Sequence, residues 1–126
     1  MIFVTGGAYQ GKRPFAKQLT GLPDACFVDG AVCTREEALQ AAAIDHLHLL
    51  IRRLLSEGEE PEAFVRELLA AERLQLVLSD EVGCGVVPID PFERRFRDEA
   101  GRAGQLLAAQ ADEVYRVYCG IGKRIK

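Results

Sequence analysis

Two rhythms of apolar residues alternate along this chain. Short, mostly apolar runs fall at Ile2–Val4, Ala25–Val28, Leu74–Ser79 and Val114–Cys119, each bounded by polar or glycine-containing breaks. Runs of this length, rich in Val, Ile and Leu, predict strands buried on both faces. Between them, apolar residues return every three or four positions, which predicts helices. One helix is predicted over Pro14–Thr20, ended by Gly21-Leu22-Pro23-Asp24. A second begins at Thr34, where Glu37 stands three residues on as a capping box, and runs through Leu39, Ala42, Ala43, Leu47, Leu50, Ile51, Leu54 and Leu55. After a break at Glu57–Pro61, Phe64, Val65, Leu68 and Leu69 mark a third. The fourth is long, Pro91–Gln110, with Phe92, Phe96, Leu106 and Leu107 as core contacts. Gly120-Ile121-Gly122 turns the chain back, and Lys123–Lys126 is expected to pair as a short final strand. Strands alternating with helices predict a mostly parallel sheet flanked by helices, in one domain over residues 1–126.

Composition narrows the function classes. At 126 residues with a net charge of −3, the chain has no general pull toward nucleic acid. The basic end, Lys123, Arg124 and Lys126, reads as a solvated tail. The four cysteines lack C-x-x-C spacing and only two histidines accompany them, which argues against a zinc site. Cys26, Cys84 and Cys119 stand in apolar surroundings and read as small buried hydrophobes. With no leader-like segment and no spanning apolar run, a cytoplasmic protein with reduced thiols and no membrane span is expected.

The first strand carries the chemistry. It runs into Gly6-Gly7-Ala8-Tyr9-Gln10-Gly11-Lys12-Arg13, a Gly-x-x-x-x-Gly-Lys loop ahead of a helix. Glycines let backbone N–H groups wrap a polyphosphate, the lysine reaches the outer phosphates, and the helix presents its positive end. The expected fold is therefore the three-layer α/β fold of P-loop NTPase-like proteins. The expected ligand is a nucleoside triphosphate, GTP or ATP; no N-K-x-D run selects guanine. Phosphate loops carry Ser or Thr after the lysine to hold Mg²⁺. Here Arg13 stands instead. Its guanidinium either neutralises phosphate charge in place of a metal or bars Mg²⁺ from its place.

Further candidates lie at predicted strand ends, where ligands of parallel sheets bind. Asp29 closes the second strand and either organises Mg²⁺ or opens a turn with Gly30. Asp80 and Glu81 follow the third strand; a carboxylate there either accepts a proton from an attacking hydroxyl or caps a loop. Arg97 and Arg102, on the long helix, clamp phosphate, pair with carboxylates or meet another subunit. His46 and His48 fall on the long second helix, two apart and so on different faces, and read as a surface or half-buried pair.

Several separated blocks occur in one order: Val4-Thr5-Gly6-Gly7-Ala8; Asp80 to Pro88; Arg95-Phe96-Arg97-Asp98 with Gly101-Arg102 and Gln105; Ala111 to Val114; Gly120-Ile121-Gly122-Lys123. Together they resemble the adenosylcobinamide kinase / adenosylcobinamide-phosphate guanylyltransferase family of cobalamin biosynthesis, over the opening strand-loop unit and the C-terminal third. The resemblance implies phosphorylation of the aminopropanol hydroxyl of adenosylcobinamide by a nucleoside triphosphate, and assembly as a homo-oligomer, a trimer by family analogy. Lys12, Asp29 and Glu81 are the expected catalytic residues of such a phosphotransferase. The family's second activity, GMP transfer through a guanylylated histidine, is expected to be lost. The chain resembles a shortened member that lacks the histidine segment between the loop helix and the second strand. Phe27-Val28-Asp29 resembles the family's later acidic strand, which supplies a carboxylate near Mg²⁺. Gly104 stands where the family has Asn.

Overall fold

The computed structural model describes residues 1–126. Its six strands form one sheet in the order β2-β3-β4-β1-β5-β6. The strands are β1 (Ile2–Gly6), β2 (Phe27–Asp29), β3 (Ala43–Asp45), β4 (Leu76–Asp80), β5 (Glu113–Tyr118) and β6 (Ile121–Arg124). The first five are parallel to their neighbours, and β6 folds back antiparallel on β5. Five helices connect them: α1 (Lys12–Thr20), α2 (Arg35–Gln40), α3 (Leu47–Ser56), α4 (Pro61–Ala70) and α5 (Pro91–Gln110). This is the three-layer α/β architecture expected from the alternation of patterns.

Each strand residue points to one of two cores, because successive side chains leave a strand on opposite faces. Phe3, Ile44, Val77 and Val114 face a large core filled by α3, α4 and α5, with Leu47, Leu50, Phe64, Leu68 and Leu107. Val4, Ala43, Leu76, Leu78 and Val117 face a smaller core closed by Ala16 of α1. Parallel pairing puts the carboxyl ends of β1 to β4 on one edge: Gly6 sits opposite Asp80, and Asp29 opposite Asp45. That edge is where the loop after β1 leaves the sheet.

The second predicted helix is corrected by the structure. It is three elements: α2 ends at Gln40, β3 occupies Ala43–Asp45, and α3 starts at Leu47. Thr34 does form the expected capping box with Glu37. A three-residue strand buried on both faces, set between two helices, has no period of its own. Ala42 and Ala43 therefore fitted the helical spacing that continues correctly from Leu47 to Leu55. Smaller shifts follow the same logic of short elements. Ala25 and Cys26 belong to a 3₁₀ turn, Asp24–Cys26, rather than to β2. The last strand begins at Ile121, after a tight turn in which Cys119 and Gly120 both take positive φ (49° and 77°). Among the thiols, Cys33 is the buried one, Cys26 is half-buried, and Cys84 and Cys119 are exposed.

Candidate functional site

The loop between β1 and α1 is held at both sides. The Gly6 carbonyl accepts the Glu81 N–H at 2.9 Å, which ties the loop to the end of β4. The Gln10 carbonyl accepts the Gly120 N–H at 2.7 Å, and its side-chain oxygen accepts the Cys119 N–H at 2.9 Å. Glycine is required where the loop starts: a Cβ on Gly6 would lie 2.6 Å from the Val117 carbonyl oxygen. Gly11 then takes a left-handed conformation (φ 87°) as the residue before α1. The backbone N–H groups of Gly7, Ala8, Tyr9, Gln10 and Gly11 donate to no acceptor within the chain. A run of free donors at the positive end of a helix is the arrangement that receives anions.

Ala8 to Gly11 border a cavity of about 420 Å³, walled on its other side by Asp45, His46, His48 and Asp80. Lys12 is buried beneath it. Its ammonium pairs with Asp80 at 2.5 Å and donates to the carbonyls of Gly7 at 2.8 Å and Gly6 at 3.3 Å. Arg13, one residue on, reaches Asp45 at 3.1 Å and Asp24 at 3.0 Å, with its guanidinium 4.4 Å from the Phe27 ring centroid. Partial burial alone would lower the Arg13 pKa, but its two carboxylate partners outweigh that and raise it on balance. The guanidinium therefore stays charged.

Asp45 is the residue the sequence reading missed, because β3 was hidden inside a predicted helix. Its side chain is only 7 % exposed. One carboxylate oxygen takes Arg13 and the other accepts the His46 N–H at 2.8 Å. His46 and His48 are likewise placed differently from the helical reading. His46, in a left-handed conformation (φ 52°), is the hinge between β3 and α3, and its Nδ1 lies 3.0 Å from Asp29. His48 is buried in the first turn of α3, where its Nδ1 accepts the Asp80 N–H at 3.1 Å. Burial, the largest influence, holds the His48 pKa below its ordinary value despite Asp80 nearby. Both rings line the cavity. Gly30 makes room for the hinge: a Cβ there would meet the His46 carbonyl oxygen at 2.3 Å.

The other candidates divide. Asp29 stands on the edge strand β2 and does not line the cavity; it reaches it only through His46. Burial alone would raise its pKa, but the Ala31 N–H, His46 and Arg13 together hold it below the ordinary carboxylate value. Glu81 is gripped by Arg116 through two bonds of 2.6 and 2.8 Å. It lines a second hollow of about 340 Å³, floored by Ala100, Gly101, Ala103 and Gly104 of α5, which shares Asp80 with the first. Arg97 donates to the carbonyls of Gly83, Gly85 and Val86 and so shapes the loop after β4. Arg102 pairs with Glu99 on α5, away from both hollows.

A divalent cation at this site needs carboxylate or hydroxyl oxygens free to bind it. The residues present do not fit one. Asp45 is engaged by a guanidinium and a backbone N–H, and Asp80 by an ammonium. Arg13 replaces the hydroxyl, and no three His, Cys, Asp or Glu side chains are arranged to hold a metal ion.

Comparison with known proteins adds the lineage. The family described as cobinamide kinase / cobinamide phosphate guanyltransferase matches residues 24–125. A bifunctional adenosylcobalamin biosynthesis protein CobU of Salmonella typhimurium is 53 % identical over 51 residues, 40 % of this chain and 28 % of that protein. The protein of the same name from Escherichia coli K12 is 51 % identical over 51 residues, with the same coverage of 40 % and 28 %. The aligned stretch thus spans little more than a quarter of either curated relative. No helix of the chain is long and apolar enough to cross a membrane.

Proposed function

Because this chain belongs to the cobinamide kinase / cobinamide phosphate guanyltransferase family, we propose that it is a nucleotide-binding protein of cobalamin biosynthesis that carries out the kinase half of that chemistry. The observation that supports this reading is the loop from Gly7 to Gly11 with its free N–H groups, of which Ala8 to Gly11 line a cavity beside the buried Lys12. GTP or ATP would lay its β- and γ-phosphates along those donors. The phosphate oxygens would compete with Asp80 for Lys12, since a dense anion next to an ammonium outbids a carboxylate that is partly solvated. Asp80, released from Lys12 and bordering both hollows, is then placed to orient the hydroxyl of an acceptor in the second. Adenosylcobinamide is the acceptor this reading assigns. Phosphoryl transfer depends mostly on positioning and on stabilising spread negative charge, and the donors and the two cations supply both.

Guanylyl transfer is left out of the proposal, because the resemblance to the family does not extend to its histidine segment. Homo-oligomer formation and a cytoplasmic location are part of the reading by family analogy. The test is incubation of the chain with γ-labelled GTP or ATP and adenosylcobinamide. Labelled adenosylcobinamide phosphate, absent with Lys12→Met, is the expected result; no transfer under any condition refutes the kinase assignment. One observation favours a second reading, a nucleotide- or corrinoid-binding partner without catalysis. Arg13 and Asp45 close on each other where a catalytic cation is normally held. Nucleotide binding without label transfer supports that reading.

A further inference from the structure

We infer that Arg13 is a built-in substitute for the divalent cation, so that the cavity takes the metal-free nucleoside triphosphate. The inference rests on the nucleotide-binding reading above. Three observations carry it. First, Arg13 occupies the position where a phosphate loop carries its metal-binding hydroxyl, in the first turn of α1 and at the cavity wall. Second, the guanidinium is fixed before any ligand arrives. Asp45 holds one nitrogen at 3.1 Å, Asp24 the other at 3.0 Å, and Phe27 supports its face at 4.4 Å. A planar fork held this way loses little freedom on meeting phosphate oxygens, and guanidinium suits phosphate in bidentate contact. Third, the carboxylate beside Arg13 is taken: Asp45 has both oxygens bonded, to Arg13 and to the His46 N–H.

A divalent ion brought in with the nucleotide would lie beside the permanent charge of Arg13 and find both oxygens of Asp45 occupied. Repulsion between like charges at such range in a partly buried site is strong. The metal-free polyphosphate instead meets two cations that line the cavity, Lys12 and Arg13. Arg13 is a binding and positioning residue in this account, not a proton donor.

Calorimetric titration of the full chain with GTP and with ATP tests it, in excess chelator and again in excess Mg²⁺. The expected result is saturable binding in chelator, with affinity in Mg²⁺ equal or weaker. Arg13→Ser is expected to bind about 10-fold more weakly in chelator and to acquire tighter binding in Mg²⁺, while Arg13→Lys, which keeps the charge but not the planar fork, falls between the two in chelator and gains no preference for Mg²⁺. Binding by the native chain that is 10-fold or more tighter in Mg²⁺ overturns the inference and leaves the nucleotide site standing. Absence of binding in both buffers overturns the nucleotide reading itself, and the inference with it. The native comparison decides the question even where a substituted protein fails to fold.

Discussion

Lys12 and Asp80 form the pair on which both the fold of the loop and its chemistry depend, and a double-mutant cycle isolates it. The ammonium and carboxylate are 2.5 Å apart, with side chains 8 % and 21 % exposed. Removing one member of a buried pair typically costs about 3–5 kcal/mol, because the other is left charged and unpaired. Asp80 retains some contact with solvent, so the lower end applies: about 3 kcal/mol for Lys12→Met, and a similar loss for Asp80→Asn. At this chain length 1 kcal/mol moves Tm by about 4 °C, so each single variant should melt about 12 °C below the native protein. The double variant has neither charge and should lose about as much as one single variant, not twice as much. That gives a coupling energy of about 3 kcal/mol, read from urea unfolding of the four proteins. Losses that add to within about 0.5 kcal/mol would refute the reasoning. They would show that Lys12 is held by the Gly6 and Gly7 carbonyls and that Asp80 is incidental.

Three further outcomes follow from particular contacts. His48 is held neutral by burial, with its folded pKa below the ordinary 6.5. The unfolded chain therefore binds the proton first as pH falls, so stability is full above about 6.5 and declines below it, down through the lowered folded pKa. Thermal melts between pH 8 and 5 should show this decline, and His48→Asn, which keeps an acceptor for the Asp80 N–H, should flatten it; parallel profiles would contradict the assignment. Gly30→Ala places a carbon 2.3 Å from the His46 carbonyl oxygen. It should destabilise by about 1–3 kcal/mol and displace the His46 resonances, whereas a silent substitution would mean the hinge gives way freely. Gly101→Ala, on α5 with open space around it, should raise stability by about 0.5–1 kcal/mol in the same denaturation assay.

The sequence made the outer frame of this protein readable and concealed its centre. β1, the loop, α4 and α5 were legible because each has a local signal: an apolar run, a glycine pair around four residues, and Pro61 and Pro91 at the first helical positions. β3 had none. Its residues Ala43, Ile44 and Asp45 are buried on both faces by partners far along the chain, and three residues cannot show a period. Without that strand four site residues are misplaced at once: Asp45 is not read as a site residue, Asp29 takes the place beside the loop, and His46 and His48 fall inside one long helix, whereas His46 is the hinge before α3 and His48 lies in its first turn. The arginines were left open for a different reason. Whether a surface guanidinium meets phosphate, carboxylate or carbonyl depends on loop conformation, which residue type does not encode; Arg97 turned to the carbonyls of the loop after β4 and Arg102 to Glu99. Arg13 alone was marked by its position in a motif, and the partner that explains it, Asp45, lies 32 residues away.

The account stands on one claim, that the Gly6–Lys12 loop holds a nucleotide by its phosphates. Its most direct measurement is proton-nitrogen NMR of the chain titrated with GTP and ATP, beside Lys12→Met at a temperature where that variant is folded. The account predicts saturable shifts concentrated in the amides of Gly7 to Lys12, in the native protein, and shifts that require at least about 10-fold more nucleotide in the variant. Shifts scattered over the surface without saturation, or a variant that titrates like the native chain, would contradict it.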